Sequence, residues 1–423
     1  MISTDRQARE ARAAVEEIGN ALSSEQTLAA VVQGLPPEVI KGVRNSLQME
    51  RKELLDLLDA YLESKAGNLD RLRERAGGDP GARLVIARIA RGMTQRDLAR
   101  KLGLREQAIQ RYEAERYRSI SLSGFQKVSR ALGAEVRIEE SRHADSDWPV
   151  SQETVASHAI KVVKHAREHG WLDAPHQTDE DAVSQLLRYV GDYIIRYESP
   201  ALFRAGMKVT DRSRDWLLLS WRAQVTRRAE NLIKAIKPSY RPLNVGWLID
   251  LVKLSALDDG PTKVADILHR HGIIFVVEPQ IPGMSIDGAS FLVDDTPVIG
   301  MTLFRDSIDN FWFTLLHEIA HVILHYRKEL SRGFYDDIEE QDLDTLEEEA
   351  NKFAGNLLIP EEIWRRSPAR ISKDPLVIEK FAKQLGIHPA VAFGRIRMER
   401  KNYSLFSSQI GQGTVRPQLL PTR

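Results

Sequence analysis

The sequence predicts a multidomain, mainly α-helical chain that carries one small α+β domain. Three observations predict it. At 423 residues the chain is long enough for two to four domains of roughly 100–200 residues each. Helical periodicity runs through most of that length, interrupted by Gly- and Pro-containing breaks. One window, residues 272–303, holds three short β-branched runs instead, and an apolar helix containing "HEIAH" (317–321) follows it directly.

Composition narrows the chemistry. Lysine plus arginine number 60 and aspartate plus glutamate also number 60, so only local charge can argue for an anionic partner. The absence of cysteine excludes disulfides, thiolate zinc sites and a cysteine nucleophile. Any metal must be held by histidine and carboxylate. The first twenty residues lack an apolar signal core, and no run approaches the roughly eighteen apolar residues of a membrane span. A soluble, cytoplasmic protein without membrane contact is expected.

Residues 1–80 read as a helical region with a break at "GLPPE" (34–38), and "AGGDPG" (76–81) marks its expected boundary. Short helices separated by Gly92, Gly103 and Gly133 fill 81–140. A polar stretch opens an expected linker over 141–175, and a further helical region spans 176–260. There Trp216, Leu219, Ala223 and Thr226 recur at three-and-four spacing and read as core. The α+β domain is expected over 261–370, with strands in 272–278, 288–293 and 297–303. Residues 371–423 read as a helical segment ending in a flexible tail, because 407–423 lack any packing pattern.

The stretch "MTQRDLARKLGLREQAIQRYE" (93–113) reads as a pair of helices. Thr94 caps a helix over Gln95–Leu102, Gly103 turns the chain, and Ala108, Ile109 and Tyr112 point inward from a second helix over roughly Glu106–Ala114. Arg105, Gln107, Gln110 and Arg111 are left outward, and Gln95 opens the first helix. Such side chains can bond base edges or phosphates from a helix lying in the major groove. Arg83, Arg88, Arg91, Arg96, Arg100, Lys101, Arg116, Arg118, Lys127 and Arg130 supply local basic charge suited to phosphate. With its Thr-Gln start, Leu-Ala pair, Leu-Gly turn and Arg-Tyr-Glu end, the segment resembles the Cro/cI-type (XRE) helix-turn-helix family. One departure is Arg105, where that family often has a capping Ser or Thr. The resemblance implies a DNA operator as partner, and paired half-sites would favour a homodimer.

Downstream, His317 and His321 stand four apart and so share one helix face, where both can point nitrogen at one ion. Glu318, next to the first histidine, is placed to take a proton from water rather than to bind metal. A buried helix carrying these groups would be costly unless they had a partner. The distal Gly and His of one zinc-protease class are missing, since those positions hold Leu324 and Arg327. A third ligand must therefore come from another helix.

"LDTLEEEANKFAGNLLIP" (343–360) offers Glu347, Glu348 and Glu349. Ala350, Ala354, Leu357 and Leu358 form its inward stripe, and stepping back three and seven positions favours Glu347. Asn351 shares that face and could orient the Glu347 carboxylate. Glu348 aligns with Lys352 as a solvated face, and Glu349 aligns with Phe353 and Asn356. His325 reads as a neighbour of the ligands or a surface residue rather than a ligand, and His269 and His271 read as surface residues. Arg305, Tyr326 and Tyr335 are candidates to stabilise a tetrahedral oxyanion.

Together "FWFTLLHEIAH" and "EEEANKFAGNLLIP" resemble the ImmA/IrrE family of metallopeptidases. The resemblance implies a gluzincin-like domain whose short sheet packs on the His-bearing helix. It implies Zn2+ at His317, His321 and Glu347, with Glu318 as general base. It also implies a protein substrate, a repressor or antitoxin-like protein in a phage, mobile-element or stress-response circuit. The alternative is a regulator or antitoxin whose peptidase-like domain only senses a ligand or binds a partner.

Overall fold

The computed structural model describes residues 1–77, 79–117, 120–134, 152–172, 178–197, 212–326 and 340–420. In chain order the helices before the sheet are α1 (Asp5–Ala21), α2 (Glu25–Val31), α3 (Pro37–Lys65), α4 (Asp70–Ala76), α5 (Pro80–Ala90), α6 (Gln95–Leu102), α7 (Glu106–Ala114), α8 (Leu122–Ala131), α9 (Gln152–Glu168), α10 (Asp179–Tyr197), α11 (Arg212–Ile236), α12 (Trp247–Leu254) and α13 (Gly260–Arg270). Strands β1 (Ile274–Val277), β2 (Gly288–Val293) and β3 (Thr296–Met301) follow. Helices α14 (Ile308–His325), α15 (Glu340–Leu358), α16 (Glu361–Arg366), α17 (Pro375–Leu385), α18 (Pro389–Glu399) and α19 (Arg416–Leu419) complete the described chain. None of the described helices is long and apolar enough to cross a membrane.

The chain divides into two units. One comprises residues 1–27 and 47–147, the other residues 28–46 and 148–423. The first unit is built on the core of the paired helices, where Leu84, Ile86, Leu98, Ile109, Val128 and Leu132 are buried together. Ala60 from α3 and Leu72 from α4 join that same core. The break at 76–81 is therefore a turn inside the unit and not a boundary. Asp79 makes the turn by accepting from the Gly81 and Ala82 backbone N–H groups, so that Pro80 can open α5.

In the second unit the strands lie in the order β1-β3-β2. β1 runs parallel to β3 with Ile274 opposite Val298, and β2 runs antiparallel to β3 with Gly288 opposite Met301. The β2–β3 hairpin turns at Asp294, whose φ of +55° a two-residue turn requires. Alternation along the strands sends Ile274, Val276, Phe291, Val293 and Val298 to one face, where they pack with Trp216, Trp221 and Val225 of α11. Contact there is close: a Cβ on Gly300 would lie 2.8 Å from the Trp221 ring. The expected core stripe holds, since Trp216, Leu219, Ala223 and Thr226 are all buried. The opposite face of the sheet receives α14.

Two expectations need correction. The segment expected to be a linker contains α9, whose Val162, Val163 and Ala166 belong to the core beneath the sheet. The tail expected to be flexible is docked up to residue 420. Asp306 Oδ1 accepts from the Val415 and Arg416 N–H groups, Ile308 N–H donates to the Ile410 carbonyl, and Val415 is fully buried. Arg416 also donates to the Leu303 and Phe304 carbonyls, so backbone and long-range polar bonds hold the tail together with isolated buried residues, which leave no hydrophobic period to read.

Candidate metal centre and DNA-reading helices

Helix α14 is apolar almost all round, with Leu315, Leu316, Ile319, Ala320 and Val322 fully buried. Of its polar residues, His317, Glu318 and His321 lie where α15 and β2 meet it. His317 Nε2 and His321 Nε2 are 3.1 Å apart. Glu347 on α15 brings Oε2 to 3.2 Å from His317 Nε2 and Oε1 to 3.4 Å from His321 Nε2. Ala350, Ala354, Leu357 and Leu358 are buried as the stripe requires, and they set the rotation of α15 that presents Glu347. Glu348 instead pairs with Lys352 in solvent, as expected.

These three residues form the group among the described residues able to hold a metal ion. The spacing suits zinc: tetrahedral ligands at about 2.0–2.1 Å from the ion stand about 3.3–3.4 Å from one another. The donor set, two imidazoles and a carboxylate, suits it as well. Asn351 Oδ1 lies 3.1 Å from His317 Nδ1. It therefore orients the histidine, whereas the sequence suggested that it would orient Glu347. Accepting a proton at Nδ1–H leaves Nε2 as the lone pair facing the ion.

Electrostatics follow from this crowding. Burial pushes the Glu318 carboxyl above its ordinary range, against the pull of the two histidines. Burial also depresses His317, but hydrogen bonding to Glu347 and the charges of Glu318 and Glu347 outweigh it and raise the ring above its usual value. The His317 and His321 rings hold Glu347 far below the carboxylate range. Glu318 lies against β2: a Cβ on Gly288 would stand 3.1 Å from its Cγ and 3.2 Å from its Oε1. That glycine was not singled out in the sequence, where it reads only as a strand start.

Other expected residues go elsewhere. Arg305 is bound to Asp287, and the Tyr326 hydroxyl donates to the Asp295 carbonyl at 2.7 Å. Tyr335 lies outside the described residues. His269 is half-buried rather than a surface residue, and its Nε2 accepts from the Phe275 N–H at 3.3 Å. His271 is likewise half-buried, stacked on Trp247. His325 is buried beside His321, with Glu349 beyond it.

In the first unit Thr94 and Asp97 close a reciprocal cap on α6, and Gly103 ends that helix at φ +67°. Arg105 stands at the start of α7 and makes no side-chain cap bond. Arg105, Gln107, Gln110 and Arg111 are exposed. Gln95 is half-buried, and its amide donates to Glu113 Oε2 at 2.8 Å. Arg88 is not available to phosphate: it is buried and donates to both Glu113 oxygens, at 2.6 and 2.8 Å. Its remaining donors reach the Met93 and Ser3 carbonyls. Arg118 lies outside the described residues. Thr4, Arg6 and Gln7 line one groove with Gln95 and Gln110, a neighbourhood that no local pattern revealed.

The architecture defines a regulator-type protein that joins a DNA-reading helix pair to a peptidase-family domain. A helix-turn-helix family model matches residues 84–138, and a model of the IrrE N-terminal-like domain matches residues 270–392. The chain is a fusion of an XRE-type helix-turn-helix domain with an ImmA/IrrE-type domain. Comparison with curated proteins and with solved structures finds no match.

Proposed function

We propose that this chain is a transcription regulator whose second unit is a zinc-dependent endopeptidase, cleaving a repressor or antitoxin-like protein. The helix-turn-helix binds an operator, as a homodimer on paired half-sites. The observation that carries the enzymatic part is the convergence of His317, His321 and Glu347 with a buried carboxylate, Glu318, next to His317 on α14. Zinc held there would supply Lewis acidity, acidifying water and polarising a peptide carbonyl. Glu318 would accept the proton of the attacking water and return it to the leaving amine. β2 is an edge strand of the sheet, and Gly288 on it leaves room for the Glu318 side chain, so an extended peptide paired along that edge would pass the carboxylate. The helix-turn-helix segment at residues 84–138 of the same chain supports a repressor-type substrate.

The test compares cells producing the wild-type chain with cells producing Glu318→Gln, by mapping newly formed protein N-termini. The expected result is a set of termini present only with the wild type, while zinc content is equal in both proteins. On a purified substrate the rate should fall about 10²–10⁴-fold. Identical termini and identical regulation in both cell lines would refute the peptidase reading and favour a domain that only senses or binds.

A further inference from the structure

We infer that His325 and Glu349 are positioning residues for the metal centre, forming with His321 a hydrogen-bonded chain that fixes which nitrogen His321 turns to the ion. The inference rests on reading His317, His321 and Glu347 as a zinc site. His321 Nδ1 lies 3.1 Å from His325 Nδ1, and His325 Nε2 lies 3.3 Å from Glu349 Oε2. Both rings are buried, whereas the Glu349 carboxylate reaches solvent.

The order of protons in this chain is determined by one end. A metal on His321 Nε2 uses that lone pair, so Nδ1 carries the hydrogen and must donate it. His325 Nδ1 is then the acceptor, and its own hydrogen sits on Nε2. Among the described residues, Glu349 Oε2 stands as an acidic acceptor within reach of that N–H, at 3.3 Å. A carboxylate at the far end strengthens each donor in turn and makes His321 a better base towards the ion. Had His325 been a simple packing residue, a leucine would fill the same place on this apolar helix without an imidazole to satisfy. His325 stands one turn beyond His321 on α14, and Glu349 is two residues beyond Glu347 on α15. One pair of helices therefore supplies both the ligand triangle and its brace. His317 has a shorter brace in Asn351, so each histidine of the centre is held by a different partner.

The experiment is chelator competition for zinc on the full chain, with circular dichroism to check folding. Relative to wild type, His325→Ala should weaken zinc binding about 10–100-fold, and Glu349→Ala by less. His325→Asn keeps an acceptor oxygen near the place of Nδ1 and should recover most of the loss, which a role in packing would not. Glu349→Ala alters a half-exposed side chain and keeps the test open if His325→Ala fails to fold. In zinc-loaded protein, nitrogen NMR should show the His321 hydrogen on Nδ1. Zinc affinities of His325→Ala and Glu349→Ala within twofold of wild type would overturn the chain while leaving the zinc site intact. Asn giving no recovery would overturn it too, as would His325→Ala abolishing binding as completely as His321→Ala, because His325 would then be a ligand. A wild type that binds no zinc would overturn both this inference and the reading beneath it.

Discussion

The two units each bury ionisable groups, but they treat them in opposite ways. In the helix-turn-helix unit Arg88 and Glu113 meet at 2.6 Å, and the spare donors of Arg88 end on the Ser3 and Met93 carbonyls while Gln95 adds a donor to Glu113. That network is closed. In the peptidase-type unit two imidazole nitrogens and a carboxylate converge on one point within 3.4 Å, a donor set that could hold a cation. What separates a structural polar cluster from a chemical one is therefore whether donors and acceptors balance, and burial alone does not decide it.

The closed network breaks with the largest effect. Glu113→Ala leaves a buried guanidinium without its counter-charge and should cost about 3–5 kcal/mol in urea unfolding of the first unit. Replacing both partners, Arg88→Met with Glu113→Leu, should restore most of that loss. If the double replacement were as damaging as the single one, the pair would be contributing more than charge balance.

A second buried ionisable group sharpens the point, because His165 packs against the His169 and Trp171 rings and, among the described residues, makes no ion pair. Burial, reinforced by neighbouring His169, holds His165 down to about 4. The unfolded chain, with histidine near 6.5, then binds more protons than the folded one between those values. Stability of the second unit should fall as pH drops through that window, by about 2 kcal/mol between pH 7 and 5. His165→Leu should flatten that slope in pH-dependent unfolding. An unchanged slope would mean that other groups carry it.

A smaller effect is expected where the site meets the sheet. Gly288→Ala places a methyl within 3.2 Å of Glu318 Oε1 and should shift that carboxylate. Cleavage should fall by about tenfold, equivalent to about 1.4 kcal/mol, with zinc content unchanged. Zinc loss in this variant would show that β2 supports the ligands rather than the base.

Much of the architecture was legible because it rests on period and capping. The strands at 288–293, the Thr94 cap, the Gly103 turn and the inward stripe of α15 are all local rules. The stripe chose Glu347 from three adjacent glutamates because side-chain direction on a helix repeats every three to four residues. What stayed hidden depends on which elements meet. A count of basic residues assigned Arg88 to phosphate, since charge counting cannot see that Glu113 is buried beside it. Glu349 was legible only as a rival to Glu347, because its partner His325 lies on another helix. The docked tail escaped notice because much of its hold runs through backbone groups, as where Asp306 accepts from two N–H groups and Arg416 donates to two carbonyls, and every sequence possesses those.

The central claim is tested most directly by metal analysis of purified wild type, Glu347→Gln and Glu348→Gln. The account predicts about one zinc per chain in wild type and Glu348→Gln, and little in Glu347→Gln, because a neutral amide is a poor third ligand. Equal zinc in all three proteins would contradict it.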